Sequence, residues 1–336
     1  MKRSAVVFWY GLLAAAMAIA VAAAMAWHWV YAPVKFDASP VDYTVELGSS
    51  SRMIAQQMNR QGIHVNERAF VLLARLSGRA KSLKAGAYEA RVGDSPWELL
   101  ERMANGNMTE TRLTLVEGWT YQRIRQALRD DPAVKQTLTG VSDAELLARL
   151  GSDKKSPEGL FYPDTYFFSP GTSDFDILRR AYHAEQNELA LLWAKHAPGL
   201  PYDDPYQALI LASLIEKETG YSADRRRVAG VFVNRLRAGM PLQTDPSVIY
   251  GMGDAYRGRI HKKDLEADTP WNTYVHTGLP PTPISCPGKA SLVAAMHPSD
   301  HDYLYFVSRG DGTSEFSKDL SAHNQAVTKY ILEKQR

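Results

Sequence analysis

The feature that most constrains this chain is an uncharged apolar run, Ala5–Trp27, which follows two basic residues at the amino terminus. A run of this length crosses a hydrocarbon core of about 30 Å as one helix. By the positive-inside rule, the two basic residues keep the short tail in the cytoplasm. The sequence therefore predicts a cytoplasmic tail at 1–4, a single-pass transmembrane helix at 5–28 and an extracytoplasmic remainder.

A cleavable signal peptide is the alternative interpretation of this segment. The residues Ala24-Met25-Ala26 resemble a cleavage site, with a small alanine on either side of Met25. The apolar run is, however, longer than the usual signal-peptide core of about 7–15 residues, which favours a retained anchor. Both interpretations export the rest of the protein.

Composition and motifs exclude several classes of function. The chain has 336 residues, enough for two domains with cores, and its net charge of +2 does not indicate a nucleic-acid partner. Cys286 is the one cysteine, so no intrachain disulfide is possible, and no neighbour would activate its thiol. Phosphate loops, dinucleotide fingerprints and helical zinc motifs are absent, so we expect no cofactor and no metal.

The first segments after the apolar run predict a linker and a small module. Prolines punctuate a linker at 29–42. A module at 43–110 then begins with an alternating strand at 43–47 and continues with two helices, a strand at 83–89 and a further helix that Asp94 or Ser95 caps. A packing module without a ligand and a ligand-binding module are both compatible with this pattern.

The helix predicted for Leu209–Thr219 carries the strongest candidate for chemistry. At about 100° per residue, Glu218 falls among Leu214 and Ile215 on the apolar face, whereas Glu216 points to the opposite, solvated side. Burial disfavours the charged form of a carboxyl group and raises its pKa, which suits a general acid near neutral pH. The alternative is that the helix ends here and Glu218 lies in a wet last turn.

An aromatic stretch, Pro157–Tyr166, combines turn residues with two carboxylates. Sugar-binding sites often have this composition, because aromatic faces pack on pyranose rings and carboxylates accept hydrogen bonds from hydroxyl groups. An aromatic turn packed into a core explains the same residues. We keep both interpretations.

Several motifs together resemble the YceG-like endolytic murein transglycosylases, and the resemblance runs from the membrane segment to the carboxyl terminus. The matching residues are Ala212–Thr219, Phe232–Leu236, Leu242–Pro246, Tyr250-Gly251, Asn272–Tyr274, Gly278–Pro281 and His323-Asn324.

The resemblance implies an α+β fold with an N-terminal transmembrane helix in the inner membrane and a periplasmic remainder. It also implies a small LysM-like module and a catalytic domain at 111–336 with a lysozyme-like catalytic helix. The implied reaction cuts the MurNAc-β-1,4-GlcNAc bond of nascent peptidoglycan strands and leaves 1,6-anhydro-MurNAc ends. Such an enzyme would be a terminase of glycan elongation, with peptidoglycan synthases or the elongation machinery as expected partners.

The resemblance assigns the catalytic acid to Glu218, in agreement with the helical pattern. A single acid is sufficient for this chemistry, because the C6 hydroxyl of the same sugar closes the ring and no water is activated. The motif positions expected to bind substrate are Asn234, Gln243, Thr244, Asp245 and Tyr274.

Two positions depart from the family pattern. Thr282 follows the paired prolines where the family often has Gly, and Ser314-Glu315 precedes Phe316 where the family often has His. These departures concern local contacts to substrate and leave the acid in place.

Two other functions remain alternatives. A non-catalytic peptidoglycan-binding scaffold for synthases would bind glycan strands and release nothing. A conventional muramidase would use Glu218 with Asp245 as a second carboxylate and would leave reducing ends.

Overall fold

The computed structural model describes residues 2–37, 40–46 and 48–333. The protein is of mixed α and β type with an apolar amino-terminal helix, as the sequence predicts. It divides into two compact units. The first comprises the chain up to Thr111 together with Phe167–Thr172, and the second comprises Arg112–Tyr166 and the chain from Ser173 onward.

The amino-terminal helix α1 spans Lys2–Tyr31. Among the described residues, its segment Leu13–Tyr31 is the one helix long and apolar enough to cross a membrane, with a mean hydropathy of 1.8. The helix continues three residues past the predicted end at 28. Trp29 packs against the core of the first unit, and the ring of Tyr31 lies 6.3 Å from that of Trp97. The predicted linker therefore begins with helical residues.

The first unit has the predicted order of strand, two helices, strand and a further helix. Two short strands are additional, and one of them lies in the predicted linker. Leu47, the last residue of the strand predicted at 43–47, lies outside the described residues. The elements are β1 Lys35–Phe36, β2 Val41–Val45, α2 Ser51–Arg60, β3 Ile63–His64, α3 Glu67–Leu76, β4 Gly86–Ala90 and α4 Pro96–Asn105.

Two antiparallel strand pairs, β1 with β3 and β2 with β4, support the core of this unit. Tyr43 and Tyr88 lie directly opposite each other in the second pair, both buried, with ring centroids 5.7 Å apart. Ser95 caps α4 in a capping box with Glu98. Asp94, the other predicted cap, instead makes an ion pair with Arg102 at 2.7 Å.

The remaining elements are mostly helical. Strand β5 pairs with β6, and β7 pairs with β8 as an antiparallel hairpin. The elements are β5 Thr111–Thr114, α5 Tyr121–Asp130, α6 Asp143–Leu150, β6 Thr165–Phe168, α7 Asp174–Trp193, α8 Pro205–Glu218, α9 Ser222–Arg237, α10 Asp245–Met252, α11 Lys262–Leu265, α12 Lys289–Met296, β7 Tyr305–Ser308, β8 Ser314–Ser317 and α13 Leu320–Val327.

Helix α8 is the central element of the second unit. Asp204 caps its amino end and Pro205 occupies its first turn, which is a common start for a helix. Every residue from Ala208 to Ile215 is buried, because α7, α9, α10 and α12 all pack against this helix. A helix enclosed in this way holds its last turn, and the carboxyl group there, in a fixed place.

Candidate active site

Glu218 is the last residue of α8, so the helix does end where the alternative interpretation of the sequence placed its end. The carboxyl group is nevertheless half-buried and hydrogen-bonded. Burial raises the pKa of Glu218 to about 7. The upward shift predicted from the helical pattern is confirmed, and at neutral pH the group exists in both its protonated and its charged form.

The prediction that Glu216 is a solvated surface charge is wrong. Only 7% of its side chain is exposed. Its Oε2 accepts hydrogen bonds from the backbone N–H of Gly288 at 3.0 Å and the hydroxyl of Ser291 at 2.7 Å, and Arg225 lies 3.6 Å from its Oε1. The helical pattern could not show this, because the segment that covers Glu216 lies about 70 residues further along the chain.

Thr244 holds the carboxyl group of Glu218. Its buried hydroxyl donates to Oε2 of Glu218 at 2.8 Å. Thr244 precedes α10 at the N-cap position but makes no side-chain cap there, so its hydroxyl is available to the acid. The hydroxyl of Thr273 in turn accepts from the backbone N–H of Thr244 at 3.0 Å. Sequence motifs that are far apart thus meet at one carboxyl group.

Asp245 and Tyr274 form a second pair beside the acid. The Tyr274 hydroxyl donates to Oδ1 of Asp245 at 2.6 Å. Burial and this neighbouring carboxylate raise the pKa of Tyr274, so the phenol stays protonated. The negative charge of Asp245 contributes to the raised pKa of Glu218, after burial. Asp245 is itself exposed.

Gln243 adopts a left-handed backbone with φ of 52°, which among the described residues no other non-glycine shares. Its backbone N–H donates to the carbonyl of Thr273 at 3.0 Å, and its side-chain oxygen accepts from Arg235 at 3.2 Å. Strained backbone conformations of this kind cluster at functional sites, where the surrounding structure enforces them. Here the hydrogen bonds to Thr273 and Arg235 hold Gln243, and with it the loop that carries Thr244.

Arg235 is a residue of the site that sequence reasoning missed. Only 7% of it is exposed, and its guanidinium donates to the carbonyls of Pro241, Leu242 and Leu304 at 3.1, 2.9 and 2.7 Å. Burial lowers the pKa of Arg235, while its positive charge acts to lower that of Glu218. The sequence signal that could have identified Arg235 is its position next to the apolar run of α9.

Asn234 lies on the same helix but contacts a different segment. Its side-chain nitrogen donates to the carbonyls of His301 at 2.7 Å and Tyr303 at 3.0 Å. The structure therefore brings Gln243, Thr244, Asp245 and Tyr274 into a network around Glu218 and uses the amide of Asn234 to hold the chain before β7.

A second acid with a raised pKa lies in a separate cavity of about 500 Å³. Glu158 is 4% exposed, and burial raises its pKa to about 7. Its carboxyl oxygens accept from the backbone N–H of Tyr121 at 2.9 Å and the hydroxyl of Tyr250 at 3.1 Å. Of the aromatic stretch predicted from the sequence, Phe161 is core, whereas Glu158 lines the cavity. The sequence pattern places Glu158 in this stretch but does not identify it as a site residue.

Residues that depart from the family pattern have defined partners. The hydroxyl of Thr282 accepts from the indole N–H of Trp271 at 2.9 Å. The backbone N–H of Ser314 donates to Asp224 at 2.8 Å. Cys286 is fully buried, and burial raises the pKa of its thiol, so it is an unreactive core residue.

No metal site is apparent in the part of the chain that the structure describes, since no three His, Cys, Asp or Glu side chains cluster suitably there. The arrangement at Glu218 instead offers one carboxyl group able to give and take a proton, a hydroxyl that holds it, and neighbouring polar side chains. Fold and site together define an α+β protein with a half-buried, hydrogen-bonded acid at the end of a buried helix.

The chain belongs to the YceG-like family, whose family model matches residues 43–329. It is 33% identical to the endolytic murein transglycosylase of Bacillus subtilis strain 168 over 321 residues, which covers 90% of this chain and 88% of the relative. It is 24% identical to the endolytic murein transglycosylase of Streptococcus pneumoniae strain R6, and the match covers 85% of this chain and 58% of that longer protein.

The fold is similar to that of a YceG-like protein from Listeria monocytogenes, whose crystal structure was determined at 2.6 Å. The TM-score is 0.56 at 31% sequence identity, and the match covers 85% of this chain and 99% of the Listeria chain.

Proposed function

We propose that this protein is an endolytic lytic transglycosylase of peptidoglycan, with Glu218 as its catalytic acid. The observation that carries the proposal is the half-buried carboxyl group of Glu218, with a pKa of about 7, at the end of an enclosed helix. Two relatives named endolytic murein transglycosylase support the substrate class. The bond cut is the MurNAc-β-1,4-GlcNAc bond, and the product carries a 1,6-anhydro-MurNAc end.

In the first step, protonated Glu218 gives its proton to the glycosidic oxygen while the bond from that oxygen to C1 of MurNAc breaks. In the second step, the resulting carboxylate takes the proton of the C6 hydroxyl, and O6 bonds to C1 of the same sugar. The acid is thereby reprotonated, and no water is consumed. A pKa near 7 suits both steps, because neither protonation state is then strongly disfavoured.

Thr244 has a role in both steps. Its hydroxyl donates to Oε2 of Glu218, which stabilises the carboxylate after the first transfer and leaves Oε1 for the proton. We propose that Gln243, Asp245 and Tyr274 bind the glycan near this acid. We assign Asn234 the supporting task of holding residues 301–303 in place.

A two-carboxylate muramidase remains the second candidate, because the charge of Asp245 acts on Glu218. Oδ1 of Asp245 already accepts the hydrogen bond of Tyr274, which favours a substrate-binding role for Asp245 over activation of water. The two functions differ in their products, so the products decide between them.

The test is mass spectrometry of the fragments that the protein releases from uncross-linked glycan strands. We expect fragments lighter by the mass of one water than hydrolysed ones, since ring closure replaces hydrolysis. Hydrolysed ends would assign the reaction to two carboxylates, with Asp245 as the second. Binding of strands without any release would favour the non-catalytic scaffold.

We further propose that α1 anchors the enzyme in the inner membrane, with residues 1–4 in the cytoplasm and the bulk in the periplasm. Residues 5–28 would form the span, 29–42 the linker, 43–110 a LysM-like module and 111–336 the catalytic domain with its lysozyme-like helix. Anchoring would keep the enzyme at nascent strands, where it acts as a terminase beside synthases or the elongation machinery. Protease protection of tagged termini in spheroplasts tests this orientation.

A further inference from the structure

We propose that the cavity around Glu158 is a second sugar-binding subsite for the same glycan strand, with Trp271 as its stacking platform. The inference rests on the proposed function, because it concerns the substrate of that reaction. The cavity volume of about 500 Å³ is in the usual range of ligand sites.

The walls of the cavity favour a ligand with an apolar face. Tyr250 and Trp271 both line it, with ring centroids 5.4 Å apart and planes at 67°. The indole N–H of Trp271 is already donated to Thr282 at 2.9 Å, and Thr282 donates to the carbonyl of Pro283 at 2.9 Å. Trp271 can therefore contact a ligand only through its ring carbons, which pack on the apolar face of a pyranose.

The polar groups of the cavity favour hydroxyl and amide groups over anions. Glu158 lies at its floor, and Gln122, Asp143 and Asp254 lie at its exposed edge. None of the lining residues within the described part of the chain is Lys or Arg. A phosphate or carboxylate ligand would meet negative charge with no compensating cation, whereas sugar hydroxyls find acceptors.

Helix α10 connects this cavity to the acid. Thr244, which holds Glu218, immediately precedes the helix, and Tyr250 lies five residues after its first residue, Asp245. Five residues of α-helix correspond to a rise of about 7.5 Å. The acid and the cavity thus lie beside opposite ends of one short helix, a separation that the proposed strand would bridge with neighbouring rings.

A tight turn beside Glu158 packs closely against the segment that carries Thr282. Gly159 has φ of +78°, and a Cβ built there would lie 2.4 Å from the Cβ of Pro283. Only glycine allows the two segments to approach so closely. The turn that carries Glu158 is thus fixed against the segment that carries Thr282, which positions the indole of Trp271.

The experiment measures binding of β-1,4-linked N-acetylglucosamine oligomers of increasing length to the full chain in detergent, by calorimetry, and cleavage of uncross-linked strands in parallel. We expect Trp271→Ala to raise Kd and KM about tenfold, the value of one lost stacking contact, with kcat little changed. Trp193→Ala is the control, because this half-buried tryptophan of the same unit stacks on His196 outside the cavity.

Thr282 supplies a milder pair of variants that serves if Trp271→Ala fails to fold. As a positioning residue, Thr282→Val should weaken oligomer binding severalfold, because it leaves the indole N–H without its acceptor, whereas Thr282→Ser should restore wild-type binding. Wild-type Kd and KM in both Trp271→Ala and Thr282→Val would overturn the subsite, as would an equal loss in Trp193→Ala.

The same data separate this proposal from the proposed function. Binding that depends on Trp271, without any fragment released by the wild type, would retain the subsite and reject the transglycosylase. The opposite outcome is cleavage that Glu218→Gln abolishes while Kd and KM do not change in the Trp271 and Thr282 variants. That outcome would support the transglycosylase and reject the subsite.

Discussion

Glu218 and Glu158 are two acids beside opposite ends of the same short helix, and burial raises the pKa of each to about 7. They differ in access and in partners. Glu218 is half-buried, with the hydroxyl of Thr244 on one oxygen. Glu158 is 4% exposed, with hydrogen bonds to both oxygens. A raised pKa alone thus does not identify a catalytic acid, which also needs an oxygen that substrate can reach.

The largest expected effect is the loss of kcat when Glu218 is replaced, and the comparison fails if replacing Glu158 causes the same loss. Glu218→Gln should lower kcat for strand cleavage by about 10²–10⁴-fold, because the amide cannot give or take the proton. Glu158→Gln should mainly raise KM, because Glu158 lines the proposed subsite and takes no part in the proton transfer. Steady-state kinetics on uncross-linked strands measures both. An equal loss of kcat in Glu158→Gln would make Glu158 a second catalytic carboxyl.

The second prediction concerns stability against pH. Because the pKa of Glu158 is about 7 in the folded protein and near the ordinary 4.5 in the unfolded chain, the folded state holds its proton longer. Its contribution is full below pH 4.5 and is lost as pH rises to about 7, by roughly 3 kcal/mol in the free energy of unfolding.

Glu158→Gln removes this dependence, so its stability relative to wild type should improve as pH rises from 4.5 to 7.5. Denaturant unfolding of both proteins at several pH values gives the difference. Buried Glu185, whose carboxyl oxygens have no hydrogen-bond partner within the described residues, also has its pKa raised by burial. It is unchanged in the variant and cancels in the difference. A constant difference would show that folding does not raise the pKa of Glu158.

The third prediction concerns the hydroxyl of Thr244, which donates a hydrogen bond to Glu218. The Thr244 hydroxyl lowers the pKa of Glu218 from the value that burial alone would give. Thr244→Val should raise that pKa by about one unit, so the alkaline limb of the pH profile of kcat/KM moves to higher pH. Thr244→Ser keeps the hydroxyl and should keep the wild-type profile. A limb that does not move in Thr244→Val would mean that another group sets it.

The smallest effect is expected at Glu216, the other acid of the same helix end. Its buried side chain accepts from Gly288 and Ser291 and lies 3.6 Å from Arg225, so it holds α8 against the start of α12. Glu216→Gln should lower the free energy of unfolding by about 1 kcal/mol with kcat retained. Thermal unfolding and kinetics on one sample test this. Loss of kcat in a fully stable variant would exchange the roles of Glu216 and Glu218.

The sequence predicted those parts of the molecule that depend on neighbouring residues. Periodicity and capping residues gave the order of elements in the first unit and the helix that ends at Glu218, with boundaries a few residues off. Those offsets arise where distant packing extends an element, as Trp29 shows for α1. The raised pKa of Glu218 also followed from its place among apolar residues of one helix.

Contacts between distant segments could not be predicted in this way. A solvated Glu216 was the natural expectation for a helix with one wet face, but α8 is enclosed on all sides through Ile215. The sequence pattern does not identify Arg235 or Glu158 as site residues, because their roles depend on the loop at 241–243 and on Tyr250 respectively. The periodicity of a helix does not show which distant loops pack against it.

By itself, then, the sequence determined an apolar amino-terminal helix, an α+β chain and one acid on an apolar helical face, because hydrophobic period and capping are local properties. Only the tertiary structure decided which hydroxyl holds Glu218, that Glu216 is a buried structural acid and that a cavity opens beside Glu158. Those outcomes depend on hydrogen bonds and burial between residues tens of positions apart, and such contacts exist only once the chain has packed.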